Sequence, residues 1–370
     1  MNLLNRCVRV VKRAFRDTKV GTYLALARQA RMLRDRFPAN YSNLIILLSP
    51  GKDTINGGIL SICSVYTESL NLRDVHRSEV VMCTLPGDSP LSRYTRFDNT
   101  IDLFSFTLVL SHFRDLDQMI INIPENGWTQ FLENLSQDDL DRLRRVRHLH
   151  FNIMLQNIKQ LPESYQRFID ELRLLGKVTF TTAHQQYSTS KTRAMLGVPL
   201  HKLSVYVSPE QYHRRGYLEK KNLLIVSPDP DPHREIVLAR IREQLPDLRI
   251  QVIRNLTYEE YKKRIEEAKW SLTFGEGLDG YFVETIFSGG IGFAVYNRDF
   301  FTPDFESLRS LYTSHEDLTQ KICRDIVDLD NEEAYTQYQI EQFDICSKHY
   351  DSAIYRENLR SFYEGKYTFE

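Results

Sequence analysis

The sequence has little that would place the chain in a membrane or outside the cell. Its longest aliphatic run, residues 44–48, is far shorter than the roughly 20 residues that span a bilayer, and no apolar targeting segment opens the chain. The five cysteines are scattered, without a CxxC pair or a nearby histidine at metal-ligand spacing. These features argue against a disulfide framework, and they predict a cytoplasmic protein with reduced thiols.

Several well-known sequence motifs are missing as well. GxxxxGK[ST], GxSxG and HExxH do not occur, so the residues that P-loop NTPases, α/β-hydrolases and zincins need are absent. Basic residues are concentrated at the N-terminus rather than spread over the chain, which argues against a nucleic-acid partner.

Charge is distributed unevenly along the chain. Residues 1–40 contain ten basic and two acidic residues, a net charge of +8, whereas the other 330 residues contain 38 basic and 47 acidic residues, a net charge of −9. Within this basic helical segment, four apolar residues follow the spacing of one helical face: Leu4, Val8, Val11 and Phe15. Two interpretations stay open, because this face either lies on an anionic membrane surface or docks on the protein's own core.

Beyond residue 42, apolar β-rich runs alternate with helical patterns, which predicts an α/β protein with parallel sheets. A chain of 370 residues exceeds what one core usually serves, and the polar stretch 208–221 separates two similar halves. We therefore expect two doubly wound domains, residues 41–207 and 208–340. The predicted strands are 43–49, 79–84, 119–123, 147–152, 177–182, 203–207, 222–227, 248–254, 270–274 and 291–296.

One segment of the second half places two carboxylates around a predicted turn. Thr257 and Glu260 have the spacing of a capping box, so the next helix ends near residue 269 and a short buried strand follows. Glu276 then lies in a Gly-rich turn at the carboxyl end of that strand, and Glu284 lies in the early turns of the helix that begins near Gly280. Because a helix start presents free N–H groups, the segment suits a phosphate flanked by hydroxyl groups.

The segment EGLDGYFVETIFSGG, residues 276–290, resembles the E-x7-E motif of retaining GT-B glycosyltransferases, family 4 in particular. The resemblance extends more weakly over the second half and over residues 44–61, which are similar to the first strand and Gly-rich loop of that fold. It implies two Rossmann-like domains facing a cleft, with C-terminal helices in 341–370 packing back on the N-terminal domain. It also implies sugar transfer from a nucleotide-diphosphate sugar with retention of configuration, without a metal ion or a separate cofactor.

The resemblance assigns roles to the residues of this motif. Glu276 would face the hydroxyl groups of the donor sugar and serve the reaction, while Glu284 would accept from the ribose hydroxyls. The remaining donor-site candidates are Gly277, Leu278, Asp279 and Gly280 for the diphosphate, together with Ser227 and Arg234. The sequence departs from the family pattern in two places, because Asp279 stands where Gly is usual and an expected Arg and Lys pair is reduced to Arg234, helped by His233.

Further candidates come from the first half of the chain. The amides of Gly57 and Gly58, which open a helix after the first strand, have access to a phosphate or a sugar, although a plain turn explains them equally well. Asn56 beside them and Asn152, expected at the end of its strand, are candidates for the acceptor side. His184 is interpreted either as a donor contact or general base, or as a residue that only satisfies its loop.

By analogy with such enzymes, the acceptor would be a glycan or lipid-linked molecule in surface polysaccharide or glycoconjugate synthesis, reached from the cytoplasmic face of a membrane through residues 1–18. No metal is expected, because Asp229 and Asp231 are separated by prolines and no other Asp-x-Asp stands at a strand end. Two alternatives stay open: a GT-B-fold nucleotide-sugar epimerase, and a non-catalytic protein that binds a glycan or nucleotide.

Overall fold

The computed structural model describes residues 19–54, 56–204, 212–254 and 256–370. The basic helix expected within residues 1–18 therefore lies outside the described residues. The chain divides into two compact units. The first unit extends to Ala183 and includes Ser190–Lys202 and Leu359–Glu370, and the second consists of His184–Thr189 and Leu203–Asn358.

The first unit is built on a parallel sheet of seven strands in the order β3-β2-β1-β4-β5-β6-β7. Its strands are β1 Asn43–Ser49, β2 Glu79–Thr84, β3 Leu103–Ser105, β4 Gln118–Pro124, β5 His148–Leu155, β6 Lys177–Thr182 and β7 Leu200–Lys202. Its helices are α1 Lys19–Arg36, α2 Gly57–Asn71, α3 Arg73–His76, α4 Phe106–His112, α5 Trp128–Glu133, α6 Gln137–Arg145, α7 Tyr165–Arg173 and α8 Ser190–Leu196, with a short 3-10 turn at Ile158–Gln160.

The second unit is built on a parallel sheet of five strands in the order β12-β11-β10-β8-β9. The strands are β8 Lys221–Val226, β9 Arg249–Val252, β10 Ala268–Leu272, β11 Ile291–Val295 and β12 Leu311–Tyr312. The helices are α9 Arg234–Gln244, α10 Tyr258–Glu267, α11 Gly280–Phe287, α12 His315–Leu329, α13 Glu332–Tyr350 and α14 Ser352–Tyr363, which continues into the first unit. Short 3-10 turns lie at Gln185–Tyr187, Tyr217–Glu219 and Pro303–Ser307.

The predicted α/β class is confirmed, and its cause is visible in the strands. Ile45, Ile46 and Leu47 in β1 have no exposed surface, as is typical of parallel strands covered by helices on both faces. The capping box at Thr257 is also confirmed, since its side chain accepts from the N–H of Glu260 and α10 begins at the next residue.

Two details of the sequence prediction are wrong. The strand expected at 203–207 is not found at 203–204, residues 205–207 lie outside the described part, and the seventh strand is Leu200–Lys202 instead. Asn152 does not end its strand, because β5 continues to Leu155. The sequence also missed β3 and β12, which have three and two residues and are too short for a periodic pattern.

The strand order fixes where a ligand site belongs in the second unit. In chain order this sheet is wound 2-1-3-4-5, so β8 has β9 on one side and β10 on the other. Connections from β8 and β10 leave in opposite directions, which opens a crevice at their carboxyl ends. Ligands of doubly wound sheets bind in such crevices.

Tyrosines of the C-terminal helices stabilise this sheet from outside. Tyr335 of α13 donates from its buried hydroxyl to the carbonyl oxygens of Lys269 and Gly289, at 3.0 Å each. Gln342 on the same helix bonds both the N–H and the carbonyl of Gly292.

In the described part of the chain, no helix combines the length and the hydrophobicity needed to traverse a bilayer.

Candidate functional site

The crevice of the second unit is framed by the ends of β8 and β10. Ser227 directly follows β8 and is completely buried, and its hydroxyl oxygen accepts a 3.0 Å hydrogen bond from the N–H of Phe274. Its own N–H donates to the carbonyl oxygen of Leu272 at 3.0 Å. Ser227 therefore joins the two strand ends through its hydroxyl and its backbone.

The turn after β10 depends on two glycines with positive φ. Gly275 has φ +82° and Gly277 has φ +81°, a region that other residues rarely adopt. A Cβ on Gly277 would lie 2.8 Å from the ring of Phe301 and 2.9 Å from the carbonyl oxygen of Val295. Glu276 lies between these glycines and is partly exposed. The turn therefore presents Glu276 at the carboxyl end of the sheet, as the sequence predicts.

Asp279 fixes the start of α11. Its carboxylate accepts from the N–H of Phe282 at 3.1 Å and forms a short hydrogen bond with the hydroxyl of Thr273. Burial raises the pKa of Asp279 to about 7, although both hydrogen bonds lower it, and the charges of Asp229 and Glu276 raise it further. The aspartate that departs from the family pattern is therefore the N-cap of this helix.

Glu284 lies one turn into α11 and is 8 % exposed. Its Oε2 atom is buried and has no hydrogen-bond partner among the described residues. Burial raises the pKa of Glu284 to about 7, while hydrogen bonds from Tyr212 and Tyr261 and the positive charge of Lys262 lower it. A Cβ on Gly280 would lie 3.2 Å from its Oε1 atom, so the glycine leaves this carboxylate close to the helix start.

Tyrosine hydroxyls and one lysine surround Glu284. The hydroxyl oxygens of Tyr212 and Tyr258 are 3.4 Å apart, and the Lys262 ammonium lies 5.2 Å from the ring centre of Tyr212. Tyr261 packs edge-on against Tyr281, with ring centres 5.3 Å apart. The sequence places Tyr261 on a helical stripe, but it does not indicate that Tyr261 and Tyr212 meet Glu284.

The loop after β8 approaches this turn and contributes negative charge. A Cβ on Gly275 would lie 3.5 Å from the Cβ of Asp229. Arg234, the expected phosphate cation, donates to the carbonyl oxygens of Pro228 at 3.2 Å and of Asp229 at 2.8 Å, and it also pairs with Glu235. Its guanidinium group therefore holds the loop.

A second group in this loop was not predicted as a unit. Asp231, His233 and His315 meet where the β8–α9 loop contacts the start of α12, and their side-chain ligand atoms all lie within 4.8 Å of one another. From the sequence, His233 is expected only to help Arg234 bind the diphosphate. His315 follows far along the chain, and no spacing rule connects it to this loop.

The candidates of the first half of the chain, except His184, lie in the first unit. Asn56 caps α2, since its side-chain oxygen accepts from the N–H of Ile59 at 2.9 Å. Gly57 has open space around its Cα, whereas a Cβ on Gly58 would lie 3.0 Å from the side-chain oxygen of Gln156. Asn152 is 1 % exposed inside the sheet and donates to the side-chain oxygens of Asn122 and Thr181.

His184 belongs to the second unit, in the segment after β6. Its ring packs edge-on against Phe300 and Tyr187, with centre distances of 5.4 and 5.9 Å. Burial lowers the pKa of His184 to about 4, so the imidazole is neutral at physiological pH. Its Nδ1 atom is buried without a hydrogen-bond partner among the described residues.

The structure thus brings Ser227, Arg234, Glu276, Glu284 and the residues between the glutamates to one crevice. A parallel doubly wound sheet, a Gly-rich turn and a capped helix make this crevice the candidate ligand site of the second unit.

Comparison with solved structures supports the same fold class. HepE from Anabaena in complex with UDP and glucose superposes with a TM-score of 0.55 at 11 % identity, covering 86 % of this chain and 99 % of that chain. Sucrose-phosphate synthase from Thermosynechococcus elongatus gives a TM-score of 0.53 at 10 % identity, covering 87 % and 98 %. MnaA from S. aureus in complex with UDP gives 0.52 at 12 % identity, covering 89 % and 98 %.

The similarity to HepE and sucrose-phosphate synthase confirms the predicted GT-B fold with its two Rossmann-like sheets. No family model matches this sequence, and no curated protein is detectably similar to it in sequence.

Proposed function

We propose that this protein is a glycosyltransferase that uses a nucleotide-diphosphate sugar, and that its second unit binds the nucleotide. The observation that supports this function best is the buried carboxylate of Glu284 at the start of α11, with one oxygen unpartnered among the described residues. The UDP complexes of HepE and MnaA, which share the fold, agree with a nucleotide ligand.

A buried carboxylate is costly unless donors surround it. The two vicinal hydroxyl groups of a ribose are a matched pair of donors, and they would bond an oxygen that the protein leaves unpartnered. The adjacent start of α11 offers free backbone N–H groups to the diphosphate, because the first residues of a helix have no intrahelical acceptor. Glu284 and the helix start therefore fit adjacent parts of one nucleotide.

Glu276 has a different place in this proposal. It lies in the turn before α11, and the resemblance to retaining glycosyltransferases assigns it to the donor sugar. We propose retention of configuration without a protein nucleophile, so the protein positions the reactants and stabilises the charge that develops on the sugar and the departing diphosphate.

We further propose that the acceptor is a glycan or lipid-linked molecule reached at a membrane surface. Residues 1–18 carry the basic amphipathic pattern, and the first described helix, α1, follows them directly in the chain. On α1, Val20, Tyr23 and Leu24 are 61 %, 72 % and 52 % exposed. Exposed apolar residues beside arginines are typical of helices that lie on anionic lipid.

One observation favours a second function. Arg234 bonds backbone carbonyls, and the crevice is otherwise rich in carboxylates, which leaves little positive charge for a leaving diphosphate. A non-catalytic nucleotide-binding protein would not need that charge. Turnover distinguishes the two functions, because only the enzyme transfers sugar.

The first experiment locates the nucleotide by hydrogen exchange. UDP should protect backbone amides in 275–288, and protection confined to 43–70 would contradict the assignment. The second experiment incubates the protein with a panel of nucleotide sugars and acceptor glycans. Nucleotide release that depends on an acceptor supports the transferase, whereas binding without any release supports the non-catalytic protein.

The two glutamates give a sharper kinetic test. Glu276→Gln should chiefly lower kcat, because its contact with the sugar strengthens as charge develops, whereas Glu284→Gln should chiefly raise the donor KM. Glu243→Gln is the matched control, since Glu243 is exposed on α9 of the same unit. If Glu276→Gln keeps kcat within twofold of the parent, its proposed role fails.

A further inference from the structure

Asp231, His233 and His315 form a compact cluster at the edge of the crevice. The carboxylate of Asp231 bridges the edges of the two imidazoles, with Oδ1 3.2 Å from Nδ1 of His233 and Oδ2 3.3 Å from Nε2 of His315. The side chains of Asp231, His233 and His315 are 14 %, 40 % and 28 % exposed, so solvent reaches all three.

We propose that this cluster binds one divalent transition-metal ion, best matched by Zn²⁺, and that the ion's open coordination position accepts a phosphate oxygen of the nucleotide. Two imidazoles and one carboxylate form the ligand set of many zinc sites that keep an open position. Ligand atoms at 2.0–2.1 Å from a tetrahedral ion are separated by about 3.3 Å. The two Asp–His separations, each to a different oxygen of Asp231, are close to this value.

The surroundings hold the three side chains in place. The backbone N–H of His233 donates to Oδ1 of Asp231 at 2.7 Å, which orients the carboxylate. The rings of His233 and His315 are stacked, with centres 4.5 Å apart and an interplanar angle of 10°. Phe274 continues the stack beside His315, at 6.2 Å and 3°. The two rings lie in nearly parallel planes, so one of them has to rotate before both nitrogens face a single ion. The backbone N–H of His233 and the ring of Phe274 orient Asp231 and His315 from outside the ligand set.

The loop itself is also restrained. Prolines at 228, 230 and 232 fix the backbone φ at alternate positions. Arg234 bonds the carbonyl oxygens of Pro228 and Asp229. The arginine expected for the diphosphate thus stabilises the loop that carries Asp231 and His233.

The charge of the crevice explains why an ion would matter. Burial raises the pKa of Asp279, and Asp229 and Glu276 lie close enough for their negative charges to raise it further. A diphosphate approaching this turn meets repulsion, and Arg234 already has other partners. A divalent cation bound by the cluster would supply concentrated positive charge. The cluster lies at the same edge of the sheet as the turn, since His315 packs on Phe274 and Phe274 directly precedes the turn. This second step rests on the proposed function.

A hydrogen-bonded network is the competing explanation of the cluster. Without an ion, Asp231 accepts N–H groups from both imidazoles, and the three residues then only connect the loop to α12. Such a network predicts no stoichiometric metal binding.

The first test measures metal binding by the full chain after treatment with a chelator. Calorimetric titration with ZnCl₂ should show one equivalent, and bound Co²⁺ should give the visible absorption of a site with nitrogen and oxygen ligands. Asp231→Asn, His233→Gln and His315→Gln should each weaken Zn²⁺ binding at least about tenfold. His148→Gln is the matched control, because His148 is exposed at the start of β5, and it should bind as the parent does.

Absence of stoichiometric Zn²⁺ or Co²⁺ binding to the parent chain would overturn the site, and this measurement needs no variant to fold. Unchanged Zn²⁺ affinity in His315→Gln would overturn it as well. A thermal melt of each variant shows whether a loss of binding reflects unfolding.

The second test measures UDP affinity with and without one equivalent of Zn²⁺. The ion should tighten UDP binding at least about tenfold, and His315→Gln should remove that gain. Equal UDP affinity with and without Zn²⁺ would overturn the phosphate contact while leaving nucleotide binding intact. Zn²⁺ binding without any UDP binding would contradict the proposed function and leave the metal site standing.

Discussion

The substitution Glu284→Gln should weaken nucleotide binding and, at the same time, stabilise the protein without nucleotide. The two effects have a common cause. Burial raises the pKa of Glu284 from its ordinary 4.5 to about 7. A carboxyl group whose pKa is higher in the folded chain than in the unfolded chain destabilises the fold once it is ionised in both. For Glu284 this loss of stability is absent below pH 4.5, grows between pH 4.5 and 7, and is fully present above pH 7.

The magnitude follows from these two pKa values. Their difference corresponds to about 3 kcal/mol of unfavourable free energy for the ionised carboxylate in the fold. Glutamine has nearly the same shape and carries no charge, so most of that cost should disappear at pH 8. For a unit of this size, each kcal/mol raises Tm by about 2–4 °C. At pH 4.5 the parent and the variant should melt at similar temperatures.

Nucleotide binding should change in the opposite direction. A hydrogen bond to a charged group contributes about 1.5–3 kcal/mol, so loss of the carboxylate should raise the Kd for UDP by about 10- to 150-fold. The assays are thermal melts at pH 4.5 and 8 and calorimetric titration with UDP at pH 8. Glu243→Gln controls for removal of one exposed negative charge from the same unit and should leave both quantities nearly unchanged.

The outcome distinguishes a ligand-binding carboxylate from a structural one. If Glu284→Gln destabilises the protein at pH 8, the carboxylate makes favourable contacts in the fold and the reasoning from its burial is refuted. A Kd for UDP within twofold of the parent would refute its role in nucleotide binding.

Two further predictions concern the turn before α11 and the N-terminus. Gly277→Ala should lower the free energy of unfolding by more than about 1–3 kcal/mol, the usual cost of a positive φ, because its Cβ would also clash with Phe301 and Val295. Gly197→Ala is the control, since Gly197 has φ +70° and open space around it, so that a denaturant titration of this variant measures the backbone cost alone. Equal losses of stability in the two variants would contradict the clash. Deleting residues 1–18 should abolish binding to anionic vesicles in a sedimentation assay without lowering Tm, whereas a large loss of Tm would favour docking of this segment on the protein core.

Local sequence patterns determined much of the second unit. The capping box at Thr257 sets the start of α10, and the buried run at 268–272 follows that helix as a strand. Glycines at 275 and 277 then indicate a turn, and α11 begins at Gly280, where the sequence predicts a helix start. These signals are local, because caps, turns and periodicity involve residues within a few positions of one another.

Strand length was decided by the neighbouring strands instead. Asn152 looks like a strand end in the sequence because it is polar. In the sheet it bonds Asn122 and Thr181 of the adjacent strands, so burial of its amide is compensated and β5 continues. Likewise β12 pairs with β11 at only two residues, which leaves no pattern to detect.

The charge environment of the crevice was decided only by tertiary structure. The sequence indicated that Glu284 follows a turn, but its raised pKa arises from burial and from tyrosines of other segments. The sequence suggests that Arg234 can bind a phosphate. In the structure its guanidinium instead donates to two carbonyl oxygens of the loop after β8. His315 reaches Asp231 because α12 begins beside the loop after β8. Burial and contacts between distant segments depend on how the elements pack, and no spacing along the chain encodes them.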